Sequence, residues 1–189
     1  MITNIYLLIC AGIFIYIQFI NVGDKIEAAF RLGAFYPPQI RDKKEYWRFI
    51  TCHFIHYDFL HFFMNAYALY QLGHFFEDYL GAFGYIYLIV ISMIFSSLLC
   101  YSASEISERY DNTMTVGASG VVYGFFGAII ALGLFVGGPF AVLLKDFMMI
   151  IVINIVYTFV NPIISKTGHL GGLFGGIFGI VILLFFKVI

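Results

Sequence analysis

A nucleophilic hydroxyl, an imidazole and a pair of side-chain donors are the parts of an acyl-transfer site. The sequence holds each of them at the head of an apolar stretch. Gly117-Ala118-Ser119-Gly120 opens one such stretch. A hydroxyl there lies near the positive end of a helix dipole and near backbone N–H groups without helical partners. That is a favourable place to hold an oxyanion once Ser119 attacks a carbonyl; helix capping or small-residue packing is the plainer account of the same serine. Gly168-His169 opens another stretch. A histidine inside a membrane is costly and marks function by default, against the alternative of an interfacial histidine beside a packing motif. His61 and Asn65 are four apart and point the same way from one helix. Donors aimed at developing negative charge form an oxyanion hole, while a structural interhelical pair explains them equally. Tyr123, four residues beyond Ser119, stands one turn deeper on the same face. Its ring can pack on an imidazole and limit its rotamers, or simply pack.

Apolar helices must carry these residues. The chain has 189 residues, 62% hydrophobic, 20% aromatic and only 11% charged, where a soluble domain carries about 25% charged residues. Mean hydropathy is +0.94. A crossing helix needs about 20 mostly apolar residues. Segments Ile2–Ile20, Phe59–Phe76, Phe83–Ser102, Ala118–Val136, Val142–Val160 and Gly168–Phe186 qualify. Backbone groups in lipid must be satisfied internally, so the spans are expected to be helices. With six spans, the second, fourth and sixth run in one direction. His61, Asn65, Ser119 and His169 sit in or near the first turns of those three, and so gather at one membrane face. His169, Gly172 and Gly176 share a face of the sixth span, and Gly120, Gly124 and Gly127 recur at similar intervals on the fourth. Small residues on both let the backbones approach closely, which brings Ser119 toward His169.

Residues 21–58 form the longest connection, with six of the ten Lys and Arg residues, the only Trp and Pro37-Pro38. His53-Phe54-Ile55-His56 is too apolar for a free tether, so an ordered interfacial loop is expected, with Trp47 and Arg48 as aromatic anchor and snorkelling cation. The N-terminal stretch lacks a basic region before Ile5–Cys10 and reads as a retained first span, not a signal peptide. The length allows one membrane bundle over 1–189 with no second soluble domain. Cys10, Cys52 and Cys100 are widely spaced, which argues against a zinc site or a disulfide framework. No metal or other cofactor is expected. Net charge of −1 gives no reason to expect a nucleic-acid partner.

Joined in this order, the motifs resemble those of the rhomboid family of intramembrane serine proteases, from about Trp47 to Phe186. The residues that carry the resemblance are Trp47-Arg48, His61-x-x-x-Asn65, Gly117-Ala118-Ser119-Gly120 with Tyr123, and His169-x-x-Gly172-x-x-x-Gly176. It implies a six-helix all-α membrane bundle with a structured first loop, and a catalytic dyad of Ser119 and His169. It implies an oxyanion site of His61, Asn65 and the Ser119 N–H, and stacking of Tyr123 on His169. Glu77 matches the family's structural acid after the second span, and His56 a further structural histidine. His74 is an extra polar residue beside that acid. Cys100 stands where some relatives carry an amide near the water path.

On this reading the substrates are transmembrane proteins. A helical segment hides its carbonyls in hydrogen bonds and must unwind before attack, so helix-breaking residues favour cleavage. Residues 161–167 and the fifth span, with Tyr157 and Phe159, are the candidate gate. Orientation divides the signals. Lys and Arg collect on the cytoplasmic side, and eight of the ten lie on the side of the chemical residues, leaving Lys145 and Lys187 opposite. The resemblance implies the reverse, a cell-membrane protein with a non-cytoplasmic site, and is preferred because the first loop reads as folded. A non-catalytic relative that binds membrane proteins is the main rival, opposed by intact Ser119 and His169. A transporter would show paired repeats or broken midplane helices, and neither is seen.

Overall fold

Helix starts in this chain are set by short polar side chains that take up orphan N–H groups. Asp24 accepts from the Glu27 N–H, Asp58 from the His61 N–H at 2.8 Å, and Ser165 from the Gly168 N–H at 3.1 Å. Two of these caps lie three and four residues ahead of His61 and His169, so the start of each helix also fixes the depth of its histidine. In the computed structural model, which describes residues 1–189, the elements are helical throughout. Helix α1 (Ile2–Ile15) continues as a π-helical turn (Tyr16–Ile20). The first loop holds α2 (Lys25–Arg31), α3 (Pro37–Lys43), α4 (Arg48–Thr51) and a 3₁₀ turn (Cys52–Phe54). Then come α5 (Phe59–Ile106), α6 (Glu108–Asp111), α7 (Ser119–Phe135), α8 (Pro139–Val160) and α9 (Lys166–Phe185).

Four helices are long and apolar enough to cross a membrane: Ile2–Ile20, Phe59–Ile106, Pro139–Val160 and Lys166–Phe185; Ser119–Phe135 is apolar but shorter. The spans expected over 59–76 and 83–102 are not separated by a loop. They are arms of α5, which breaks only at Gly81 (φ 67°, ψ 177°), a conformation suited to glycine. A straight helix of 48 residues would run about 72 Å, far beyond the hydrocarbon thickness of about 30 Å. Phe76 before the break and Tyr85 after it both stack on Phe125, so the arms fold back on one another. The first arm outlasts its apolar run because Glu77 is satisfied where it stands. It accepts from the Ile2 and Thr3 N–H groups (2.7 and 2.9 Å) and the Thr3 hydroxyl (2.7 Å), which caps α1. His74 is satisfied by its own helix, its Nδ1 lying 2.7 Å from the Tyr70 carbonyl.

α7 is the centre of the bundle, with Val121, Phe125, Ala128, Ile129 and Leu132 wholly buried. α8 is its opposite. Only Leu144, Ile151 and Thr158 are buried, seven residues apart on one stripe, and the rest of α8 faces outward or is partly exposed.

The first loop is folded onto the segment that leads into α7. Phe35 and Thr115 exchange both backbone hydrogen bonds at 3.0 Å, and the Gly117 N–H donates to the Cys52 carbonyl at 2.9 Å. Arg41 grips Asp111 through Nη1 and Nη2, one to each carboxylate oxygen. Arg48, buried, donates from Nε to Glu45 (2.6 Å) and from Nη1 to the Phe30 and Ala34 carbonyls (2.9 and 2.7 Å). Its guanidinium also lies over the Phe30 and Trp47 rings. Trp47 itself remains half-exposed. Arg48→Ala would leave two carbonyls and a carboxylate without their donor. A loss of about 3 kcal/mol in stability is expected, readable as a lower thermal midpoint of the purified protein.

Candidate active site

Ser119 is the first residue of α7 and His169 lies in the first turn of α9. Their contact depends on how closely the two helices pack. A Cβ on Gly172 would overlap the Gly120 carbonyl oxygen, and one on Gly176 would overlap that of Gly124. With hydrogen in place of Cβ the helices meet backbone to backbone. His169 Nε2 then lies 2.9 Å from Ser119 Oγ. The Tyr123 ring stacks on the imidazole with centroids 4.0 Å apart and planes 21° from parallel.

The turn before Ser119 is built by glycine and the first loop. Gly117 has φ +115°, and a Cβ there would strike the His61 ring and come within 3.4 Å of Asn65 Nδ2. His61 and Asn65 therefore flank the backbone two residues ahead of the serine. Asn65 is buried, and its Nδ2 donates to His56 Nε2 at 3.1 Å. The same nitrogen accepts the Ala118 N–H at 3.2 Å. His56 thus ties the Asn65 amide to the turn that presents Ser119. One of the two N–H bonds of Asn65 is used in this way, which leaves the other for a ligand. The first N–H groups of α7, that of Ser119 included, lack acceptors within the helix.

Two loop histidines underlie this turn, both buried. His53 Nε2 is 3.1 Å from the Met93 carbonyl and 3.2 Å from Ser97 Oγ. Burial pushes His53 down to about 4. Burial, with a smaller contribution from His61, pushes His56 down to about 3. Both stay neutral near pH 7, as an acceptor at His56 Nε2 requires. Because the unfolded chain takes up these protons first, this support weakens as pH falls below about 6.5.

The arrangement can carry out acyl transfer. A hydroxyl donates to an imidazole, the imidazole is held from one face by an aromatic ring, and His61 and Asn65 flank the turn that leads to the serine. Trp47, Arg48 and Glu77 lie away from this centre, in the first loop and at the α1–α5 contact. Cys100 Sγ lies beside the start of α9, 3.3 Å from Thr167 Oγ1 and 3.5 Å from Ser165 Oγ. Thr158 is not singled out by the sequence motifs. It is 1% exposed and its Oγ1 lies 2.8 Å from His169 Nδ1. The available signal was its spacing from Asn154, two polar residues four apart in an apolar span.

The family model of the Rhomboid domain matches residues 43–186, an interval that contains every one of the residues at this centre. The chain belongs to the rhomboid family. RHOMBOID-like protein 5 of Arabidopsis thaliana is 30% identical over 167 residues, covering 86% of this chain and 52% of that protein. Rhomboid protease GluP of Bacillus subtilis (strain 168) is 30% identical over 135 residues, 71% of this chain and 25% of GluP. RHOMBOID-like protein 1 of Arabidopsis thaliana is 29% identical over 151 residues, 77% of this chain and 36% of that protein. The chain thus spans about half the length of the first of these rhomboid relatives and less of the other two.

Proposed function

We propose that this rhomboid is an intramembrane serine protease that hydrolyses peptide bonds in or near transmembrane segments of other membrane proteins. The observation that carries the reading is the 2.9 Å contact between Ser119 Oγ and His169 Nε2. Ser119 attacks the scissile carbonyl while His169 takes its proton; the imidazolium then returns that proton to the leaving amine. The acyl-enzyme is released by water, activated by the same imidazole. His61, Asn65 and the Ser119 N–H stabilise the tetrahedral oxyanion. Family membership and the relative named as a rhomboid protease support this reaction class.

The architecture proposed with it is one domain over residues 1–189 with six crossings. These are α1 with its π turn, the two arms of α5, and α7, α8 and α9. The break at Gly81 supports counting α5 twice. α7, with 17 residues, is about 25 Å long, and its burial supports a short central crossing that starts below the membrane surface. Substrates are transmembrane proteins whose helices unwind at small or helix-breaking residues, within a surrounding of membrane lipid. The site faces the non-cytoplasmic side of a cell membrane. The folded first loop, which holds six Lys and Arg residues, supports setting aside the plain charge rule.

A fluorophosphonate probe on the purified, detergent-solubilised protein tests the reading. Wild-type protein is expected to label covalently and Ser119→Ala to remain unlabelled. Folded wild-type protein that fails to label would turn the assignment toward a non-catalytic member of the family.

A further inference from the structure

A dyad without an acid needs something to set the tautomer of its base. For Nε2 to accept the Ser119 proton, the proton of the neutral imidazole must sit on Nδ1, and some acceptor must favour it there. Tyr123 stacks on the ring face and contributes nothing in the ring plane. The atom in that plane is Thr158 Oγ1, 2.8 Å from Nδ1. The same hydroxyl lies 2.5 Å from Tyr123 Oη and 2.9 Å from the Asn154 carbonyl, and Tyr123 Oη lies 2.6 Å from that carbonyl. The cluster is closed: one ring nitrogen, two hydroxyls and one carbonyl that can only accept.

Counting protons decides its direction. Four short contacts join these groups, and the two hydroxyls bring one proton each. If Nδ1 is bare, two protons serve four contacts and one of them must be turned toward Nδ1. If Nδ1 carries its proton, three protons serve the four, and Thr158 Oγ1 accepts from the ring. The hydroxyls then pass their own protons toward the Asn154 carbonyl in either order. The filled arrangement is the one in which His169 is a base toward Ser119.

We infer that Thr158 is the positioning residue of the catalytic base, the third member of a Ser119–His169–Thr158 relay, which holds His169 in the tautomer that can deprotonate Ser119. The inference rests on the proposed dyad. It assigns Thr158 no contact with substrate and no charge. Thr158 is carried by α8 and is the only polar member of its buried stripe. Its neighbours Tyr157 and Phe159 are about half-exposed and face away. The helix that borders the site at its rim therefore also holds the base in register.

Thr158→Val keeps the shape and removes the hydroxyl; Thr158→Ser keeps the hydroxyl and removes a methyl. On the purified protein, Thr158→Val is expected to lower kcat about tenfold with KM changed less than about twofold, and Thr158→Ser to stay within about threefold of wild type. The ¹⁵N resonances of His169, in protein labelled at histidine, read the tautomer without reference to activity. Wild type and Thr158→Ser should show protonated Nδ1 and bare Nε2, and Thr158→Val a mixture. An unchanged tautomer in Thr158→Val, or equal damage from valine and serine, overturns the inference. Inactive wild-type protein whose Nδ1 proton is nevertheless lost in Thr158→Val would defeat the protease reading, and with it the positioning of a catalytic base, and leave only the tautomer-setting contact of Thr158 standing.

Discussion

Ser119→Ala and His169→Ala are each expected to reduce cleavage of a transmembrane substrate by at least about 10⁴-fold, and the double variant to be no worse than either alone. In the proposed mechanism the two side chains perform one act. Without the imidazole the hydroxyl keeps its proton and is a poor nucleophile; without the hydroxyl the imidazole has nothing to activate at the right place. The two variants should differ in stability. Ser119 is partly exposed and loses one hydrogen bond, so its alanine variant should unfold at the wild-type temperature. His169 is 9% exposed and lies between the Tyr123 ring and Thr158. Its truncation opens a polar-lined gap and should cost about 1–3 kcal/mol. Single-turnover cleavage of a reconstituted substrate, with thermal unfolding beside it, measures both. Substantial cleavage by Ser119→Ala, or strictly multiplicative losses in the double variant, would remove the serine–histidine mechanism.

What could be read from the residues was what depends on period, caps and cost. Polar residues at the heads of apolar stretches are expensive in lipid, so His61, Asn65, Ser119 and His169 stand out in the sequence, and the fold brings Ser119 and His169 into contact. The lack of a proper loop between the second and third apolar stretches was not legible. Glu77 looks like a residue that ends a span, yet it is held inside the helix by N–H groups of α1, a long-range contact with no local signature. The first loop could be judged ordered from its apolar content. That it hydrogen-bonds to Thr115, Gly117 and Ala118 and so shapes the turn before Ser119 requires the folded chain. Thr158 escaped for a different reason. A threonine can satisfy its hydroxyl on its own helix, here the Asn154 carbonyl, so it carries little penalty in an apolar span and sends no signal. Tyr157 and Phe159 are large and conspicuous on either side, while the residue between them lies against the His169 imidazole.

The second large effect concerns residues that touch no substrate. Gly172→Leu and Gly176→Leu are each expected to lower activity by more than about 10²-fold, because a shift of about 1 Å at the reacting atoms already costs that much. The argument is one of space. Their Cβ atoms would overlap the carbonyl oxygens of Gly120 and Gly124, and backbone cannot turn aside as a side chain can. α9 must move away from α7, and His169 moves with it. A Ser–His hydrogen bond works only over about 2.6–3.2 Å, so the contact is lost. Gly179 lies on the same helix, three residues beyond Gly176, but its Cβ would meet no backbone: the Ile91 Cγ2 methyl lies at 2.9 Å and the next atoms, on Leu88 and Tyr87, at 3.5 and 3.6 Å. Gly179→Leu should therefore be the mildest of the three. Gly172→Ala and Gly176→Ala keep the comparison useful if the leucine variants fail to fold, since a single methyl should already lower kcat in a protein that still melts cooperatively. The ¹⁵N signature of His169 and probe labelling of Ser119 should fall together in the damaged variants. Equal tolerance of leucine at all three glycines would mean that α7 and α9 need no backbone contact to bring Ser119 to His169.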